Sequence, residues 1–479
     1  MVLPSLRSPV PPYSTIRWRA ALCMALWLAL GTALPVALGA AADRPPAPLR
    51  MATFKSDVTP PLGAPLIGIV PAATVEDPLF AKGIVLDDGG RRYVLCAVDW
   101  CELMNSTHDL FRRKIAKAAG TDPAHVAVQC VHQHTAPQID GDAYALLADV
   151  TSPPLGLSEA ALDDITNRLA SAVRESLDRL EPFDRVGTSE ARVERVASTR
   201  RLRGDGGKIV VRYSTDAKIP ALAAAPEGDI DPMLKTITLA RGERPLVRLH
   251  YYACHPQTHQ LDGIVSKDFV GQAREAVEAQ ENVFQIHFTG CAGDVTVGKY
   301  NDGAVEAREG LRRRLEAALK ASNAAARWAP AESLSWRVTP LSLPKKIEAS
   351  SATAVLEQRL ADRTKFSPYS IYGAAVSAAF SNRRQPILLS ALRIGPVYIL
   401  HLPGEPMVAF QRFAQRARPE AFVAVAGYGD CGPGYICTDQ AYVEGGYEPS
   451  ASHAGPGTEA LVKQAIRELL EVAQDAIPR

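Results

Sequence analysis

The chain has 479 residues, 47% of them hydrophobic and 22% charged, with 53 basic against 52 acidic side chains. That length can bury a sizeable core, and the composition is that of an ordinary globular protein. Charge so evenly balanced, with no long single-sign run, excludes a nucleic-acid footprint and an acidic tail.

In chain order, the N-terminus reads as a targeting segment. Arg17 and Arg19 precede the uncharged run 20–42, and the small residues Ala40 and Ala42 stand before Asp43, as signal-peptidase cleavage requires. The run is also long enough to span a bilayer, but Pro35 and the small residues near its end favour cleavage. The expected organisation is a signal peptide over 1–42, a linker over 43–53 opening with "DRPPAP", and one folded domain over 54–479. The mature protein is therefore expected to be secreted or periplasmic, with an uncleaved membrane anchor as the alternative. Seven cysteines remain after cleavage, an odd number that leaves at least one thiol. Cys431 and Cys437, around "GPGYI", could close a small loop. Cys96, Cys130, Cys254 and Cys291 lie in or beside apolar runs, where cysteine behaves as a small hydrophobe. No Cys-x-x-Cys pair argues for a cysteine zinc site.

From residue 91 onward one unit recurs three times: strand, polar loop, amphipathic helix, strand, polar loop. The first runs through "RRYVLCAVDW", "HDLFRRKIAKAAG" and "AHVAVQCVHQHTAP". The second is "PLVRLHYYACHPQ", "KDFVGQAREAVEAQ" and "NVFQIHFTGCAGDV". The third is "GPVYILHLPGEP", "VAFQRFAQRARP" and "AFVAVAGYGDCGPGY". The helical stretches carry apolar residues at three- and four-residue spacing, as in Phe269, Ala273 and Val277. Strands joined through a crossover helix become parallel neighbours, so the expected fold class is α/β, with mixed, largely parallel sheets flanked by helices. Between the units, residues 158–178, 304–321 and 458–475 read as helices, and 187–240 as strands with a turn at "GDGG". Residues 344–386 are mixed and could be a helical insertion.

Ligands in open α/β sheets bind beyond the carboxyl ends of the strands. That rule gathers His132, His134, His255, Asp294, Glu405 and Tyr435 at one edge. Hydrolytic zinc sites use three protein ligands, commonly His and carboxylate, and leave a position for water. His132 and His134, one residue apart at a strand end, project to one side; a pair of hydrogen-bonded loop histidines is the structural alternative. His255 follows "LHYYAC" directly, and His259 is either a supporting group or a surface one. His108, His125, His250, His287 and His453 lack an obvious companion, and His401 reads as core or support. "GCAGDVTVG" is a Gly-rich loop whose amides could stabilise an oxyanion, with Thr296 and Asp294 offering side chains there; a tight turn with a satisfied Asp is the alternative. Tyr435 and Tyr447 come from Gly-rich loops. Of Arg200, Arg201 and Arg203 in "STRRLRGD", one could clamp a substrate oxygen.

These motifs together resemble the neutral, non-lysosomal ceramidases. "CVHQHTAP" is similar to the family's H-T-H-S-G-P segment, and "ACHPQTHQLDGIVSKDFVG" to its second histidine segment. "GCAGDVTVG" is similar to the G-D-V-S-P nucleophile loop, "LPGEPMVAF" to the P-G-E segment, and "GYICTDQAYVEGGYE" to the paired-tyrosine segment, with the spacing from Tyr435 to Tyr447 retained. The likeness runs from about residue 54 to 460 and implies the family's catalytic-domain fold, without its C-terminal immunoglobulin-like domain. Carried over, it implies zinc (Zn2+) held by His132, His255, Glu405 and Tyr435. His134 would face the reacting amide or the metal-bound water, Arg200 would match the active-site arginine, and Tyr447 would donate to the substrate carbonyl. Thr296 stands where the family has its catalytic serine, and Val297 replaces the following proline. Gln133 and Ala136 also depart from the pattern.

The expectation is an exported, zinc-dependent amidohydrolase acting on a ceramide-like N-acyl lipid, with a membrane surface as one place where it could meet that substrate. Either a metal-activated water attacks or Thr296 does. The alternatives are a metal hydrolase on the same scaffold with another ester, amide or phosphate substrate, and a non-catalytic metal-stabilised binding protein. Neither a nucleic acid nor a protein partner is expected.

Overall fold

Three βαβ units organise the protein, each supplying one parallel strand pair to its own sheet. The computed structural model describes residues 48–150, 156–259 and 261–473. The expected signal peptide and the first part of the expected linker lie outside the described residues. The first strand, Arg50–Asp57, starts inside the stretch expected to be linker, because Met51, Ala52 and Phe54 are apolar and buried.

The first sheet has the order Glu181–Pro182, Arg50–Asp57, Phe80–Asp87, Arg92–Val98, Val126–Cys130. Only its last pair is parallel, joined through the helix Asn105–Ala119. That helix buries Phe111, Ile115 and Ala119 at four-residue spacing and ends on Gly120 at φ +66°, a left-handed conformation that glycine adopts without strain. The second sheet runs Phe284–Thr289, Arg244–Tyr252, Met233–Arg241, Arg185–Arg192, Arg327–Pro330. Its parallel pair, Arg244–Tyr252 with Phe284–Thr289, is bridged by the helix Asp268–Glu281. The third runs Leu334–Leu341, Ile387–Ile394, Val397–His401, Phe422–Ala426, with the last two parallel around the helix Val408–Ala417.

The fold is thus mixed α/β, and each recurring sequence unit produces the parallel pair expected of it. The parallel share is smaller than expected. Every other neighbour in the three sheets is antiparallel, made by hairpins and longer-range pairings that the strand–helix–strand pattern does not contain. The three intervening helices fall at Glu159–Ser176, Val305–Ala324 and Thr458–Leu469, and "GDGG" turns the hairpin Arg201–Arg203 with Ile209–Val211. The mixed stretch forms two helices, Ala349–Ala361 and Pro368–Asn382.

All seven described cysteines are free and buried. The loop closure envisaged for Cys431 and Cys437 is absent, since the two side chains pack into different apolar clusters. Among the described residues no helix is long and apolar enough to cross a membrane.

Short strand pairs beyond the main sheets stitch the loops together at one edge. Glu405–Pro406 pairs in parallel with Tyr435–Ile436, Glu102–Met104 with Gln138–Asp140, and Ser198–Thr199 pairs antiparallel with Val295–Thr296. These pairs hold the site.

Candidate metal centre and cavity

His132 follows the strand Val126–Cys130 by two residues and has φ +75°, unusual for a residue with a Cβ. The turn is held by its N–H donating to Trp100 O at 2.9 Å. His255 follows Arg244–Tyr252, and Glu405 follows Val397–His401, so each of the three units contributes one donor from the carboxyl end of its first or last strand. The two Nε2 atoms stand 3.0 Å apart, and Glu405 Oε2 lies 3.1 Å from His132 Nε2 and 3.0 Å from His255 Nε2.

The outer partners fix what those atoms carry. His132 Nδ1 sits 2.8 Å from Cys101 O and His255 Nδ1 2.6 Å from Ala292 O. A carbonyl only accepts, so both Nδ1 atoms are the protonated ones and both Nε2 lone pairs face inward. Burial and the nearby Arg200 charge push His255 down to about 3, which keeps its ring neutral. Two neutral nitrogens and one carboxylate oxygen thus converge without a hydrogen to share, an arrangement that suits a cation and is repulsive without one. All three ligand atoms lie within 4.8 Å of one another. The residues fit a divalent metal.

Tyr435 is the direct cross-strand partner of Glu405. Its hydroxyl accepts from Arg200 Nη1 at 2.8 Å, and its ring stacks on that of His255 at 6.5 Å. Burial raises the phenol and Arg200 opposes that. Arg200 also donates to Gly293 O and Gln257 Oε1. Tyr447 packs edge-on against Tyr435 at 5.5 Å and lies beneath the Arg200 guanidinium. His134 packs edge-on against His132, and its Nε2 is buried with no partner. Burial, reinforced by the other two histidines, holds it well below the usual histidine range.

A cavity of about 270 Å³ is lined by His132, His134, Glu405, Tyr435 and Tyr447, with His255 and Arg200 behind its wall. A larger cleft of about 420 Å³ lies between Asn105 and Arg383, but holds none of the expected site residues and no converging donors. Thr296 is fully buried, does not line the smaller cavity, and has a hydroxyl with no hydrogen-bond partner. Asp294, gathered at the same edge by sequence, has another task. Its Oδ1 accepts from Val408 N at 2.8 Å, at the start of the helix Val408–Ala417.

Several neighbours escaped the sequence reading. Glu102 lines the cavity, is almost wholly buried, and bonds to Gln138 while touching Glu405. Tyr428 stacks on His132 at 4.2 Å and reaches His255 Nδ1 at 3.3 Å. Its place in the Gly-rich run "AGYGDCGPGY" was the available signal. Arg359, Tyr369 and Tyr372 enter from the two helices of the mixed stretch. His259 is buried, paired with Asp262 at 2.8 Å and close to Arg308, and does not line the cavity.

No family model and no curated protein matches the sequence. The fold does match solved structures. Neutral ceramidase from Pseudomonas aeruginosa superposes with a TM-score of 0.64 at 15% identity, over 90% of this chain and 76% of that one. A ceramidase complexed with C2 superposes with a TM-score of 0.63 at 16% identity, over 90% and 77%. The protein is an α/β chain with the neutral ceramidase fold and a His-His-Glu donor set at the edge of its three sheets.

Proposed function

We propose that the protein is an exported, zinc-dependent amidohydrolase that cleaves the N-acyl amide of a ceramide-like lipid. The observation that carries this reading is the convergence of His132 Nε2, His255 Nε2 and Glu405 Oε2, with protonated Nδ1 atoms anchored on carbonyls. Tyr435 stands as the fourth ligand. A zinc ion held there supplies Lewis-acid polarisation and an acidified water.

The side chains around it divide the remaining work. His134, with its free Nε2 at the cavity wall, holds or takes the proton at the reacting centre. Tyr447 directs its hydroxyl at the carbonyl oxygen, and Arg200, through Tyr435, stabilises the developing negative charge. The position of Thr296 outside the cavity lining favours water over Thr296 as the attacking group. The absence of the family's serine keeps a metal-stabilised binding protein as the rival reading.

Metal analysis of purified protein, followed by turnover of a fluorescent N-acyl sphingosine, separates these. About one zinc per chain with zinc-dependent hydrolysis supports the proposal. Zinc without hydrolysis of any acyl amide favours the binding protein, and absence of any bound metal sinks both.

A further inference from the structure

The hairpin of helices Ala349–Ala361 and Pro368–Asn382 brings one cation to the cavity wall. Arg359 Nη1 donates to Ser370 O, which pins the two helices together, and its guanidinium lies 5.7 Å from the Phe366 ring. Among the described residues it pairs with no carboxylate. Several other arginines drawn into the fold are paired or bonded through at least part of their guanidinium, although Arg274 and Arg467 each leave Nε without a partner. Arg201 pairs with Glu444 and Glu448, Arg274 with Asp99, and Arg383 with Asp430, while Arg212 is surrounded by backbone carbonyls. Arg359 differs because its Nε–Nη2 edge has no acceptor, although it is partly buried and lines the cavity that holds the metal donors. A guanidinium edge with two parallel N–H groups matches a carboxylate in size and direction.

The acidic groups of the cavity are committed elsewhere. Glu405 faces the two imidazoles, and Glu102 is engaged by Gln138. They are 5% and 3% exposed, whereas Tyr369 beside Arg359 is 48% exposed, so the arginine marks the mouth and the donor set the floor. Ile67, Met104 and Val376 give apolar wall between them.

We infer that Arg359 is the receptor for an anionic group on the substrate, and that the amine half of the substrate is an amino acid whose carboxylate it binds. This rests on the amidohydrolase reading: it keeps the N-acyl amide and puts an amino acid in place of the ceramide-like amine half. The amide then lies between His134 and Tyr447, with the acyl chain along the apolar wall.

Calorimetric titration of the zinc-loaded protein with N-octanoylglycine, N-octanoyltaurine and N-octanoylethanolamine tests it. N-octanoylglycine is expected to bind at least about tenfold tighter than the uncharged ethanolamide, as a charge-assisted bond to a partly buried guanidinium provides. Arg359→Gln should remove that preference, and Arg359→Lys should keep part of it. Equal binding of glycine and ethanolamine conjugates, or a preference that survives Arg359→Gln, overturns the inference. Equal binding of the taurine conjugate overturns the choice of carboxylate. If Arg359→Gln does not fold, the comparison on the unaltered protein and Arg359→Lys decides. Failure of the underlying reading looks different: selective binding of the anionic conjugate with no hydrolysis of any amide.

Discussion

His132 leaves its strand in a left-handed turn, and that strained backbone places Nε2 within reach of His255 and Glu405. Such strain persists where the surroundings over-determine it; the Trp100 and Cys101 carbonyls do so here. His132→Ala should lower zinc affinity by at least about 100-fold, read as metal per chain after gel filtration. Unchanged zinc content would remove His132 from the ligand set. At Thr296 the expected effects run in opposite directions. Its buried hydroxyl has no partner, so Thr296→Val should raise unfolding stability by roughly 1 kcal/mol in a urea titration. Turnover in Thr296→Ala should survive within about tenfold if water attacks. Loss of all turnover in that variant, with a gain in Thr296→Ser, would identify the side chain as the nucleophile.

The helix Asp268–Glu281 is tied to the first sheet by two ion pairs, Lys82 to Glu278 and the fully buried Arg274 to both oxygens of Asp99 at 2.8 and 2.9 Å. Burial alone would raise Asp99, yet the Arg274 guanidinium and the Phe80 amide hold its carboxyl below the usual carboxylate range. A folded-state value below the unfolded one means that its stabilisation is full above about pH 4 and lost as pH falls further. Below the same helix, His287 has both ring nitrogens buried without partners, and burial together with His250 pushes it down to about 3. The unfolded chain takes up that proton first, so stability declines as pH drops from about 6.5. Urea midpoints measured from pH 7 to 3 should therefore fall in two limbs, and His287→Leu should make the upper one shallower, with the buried His134, His250, His255, His401 and His453 supplying the rest. Asp99→Asn should cost about 3 kcal/mol at neutral pH, because it removes the buried carboxylate from Arg274 and leaves only Glu275 at 3.4 Å. At this scale the sequence was most legible: three helices with regular apolar spacing and flanking β-branched runs identify the three βαβ units. Strand-end positions gather His132, His255 and Glu405 together with His134, Asp294 and Tyr435, and it is the resemblance to the ceramidases that singles out a ligand set among them. Arg359 and Tyr369 were illegible because residues 344–386 carry no clean period, and their proximity to the site comes from docking of the hairpin. Glu102 was missed because its partner Gln138 is 36 positions away, brought alongside only by the short strand pair.

For the whole molecule, the donor set joins loops from all three sheets, so a cation bound there stabilises every one of them together. Chelation should lower the melting temperature of the entire cooperative transition. At a zinc concentration about a hundredfold above the dissociation constant the loss corresponds to roughly 2.7 kcal/mol. Re-addition of zinc should restore it, whereas a melting curve indifferent to chelator would show that the ligand atoms hold no resident ion. The spacing of those donors along the polypeptide has a temporal side as well. During synthesis the first imidazole emerges at position 132, the second at 255, and the carboxylate only at 405. A nascent chain therefore owns no complete chelate until position 405 has emerged, so any metal capture follows synthesis of the first two βαβ units.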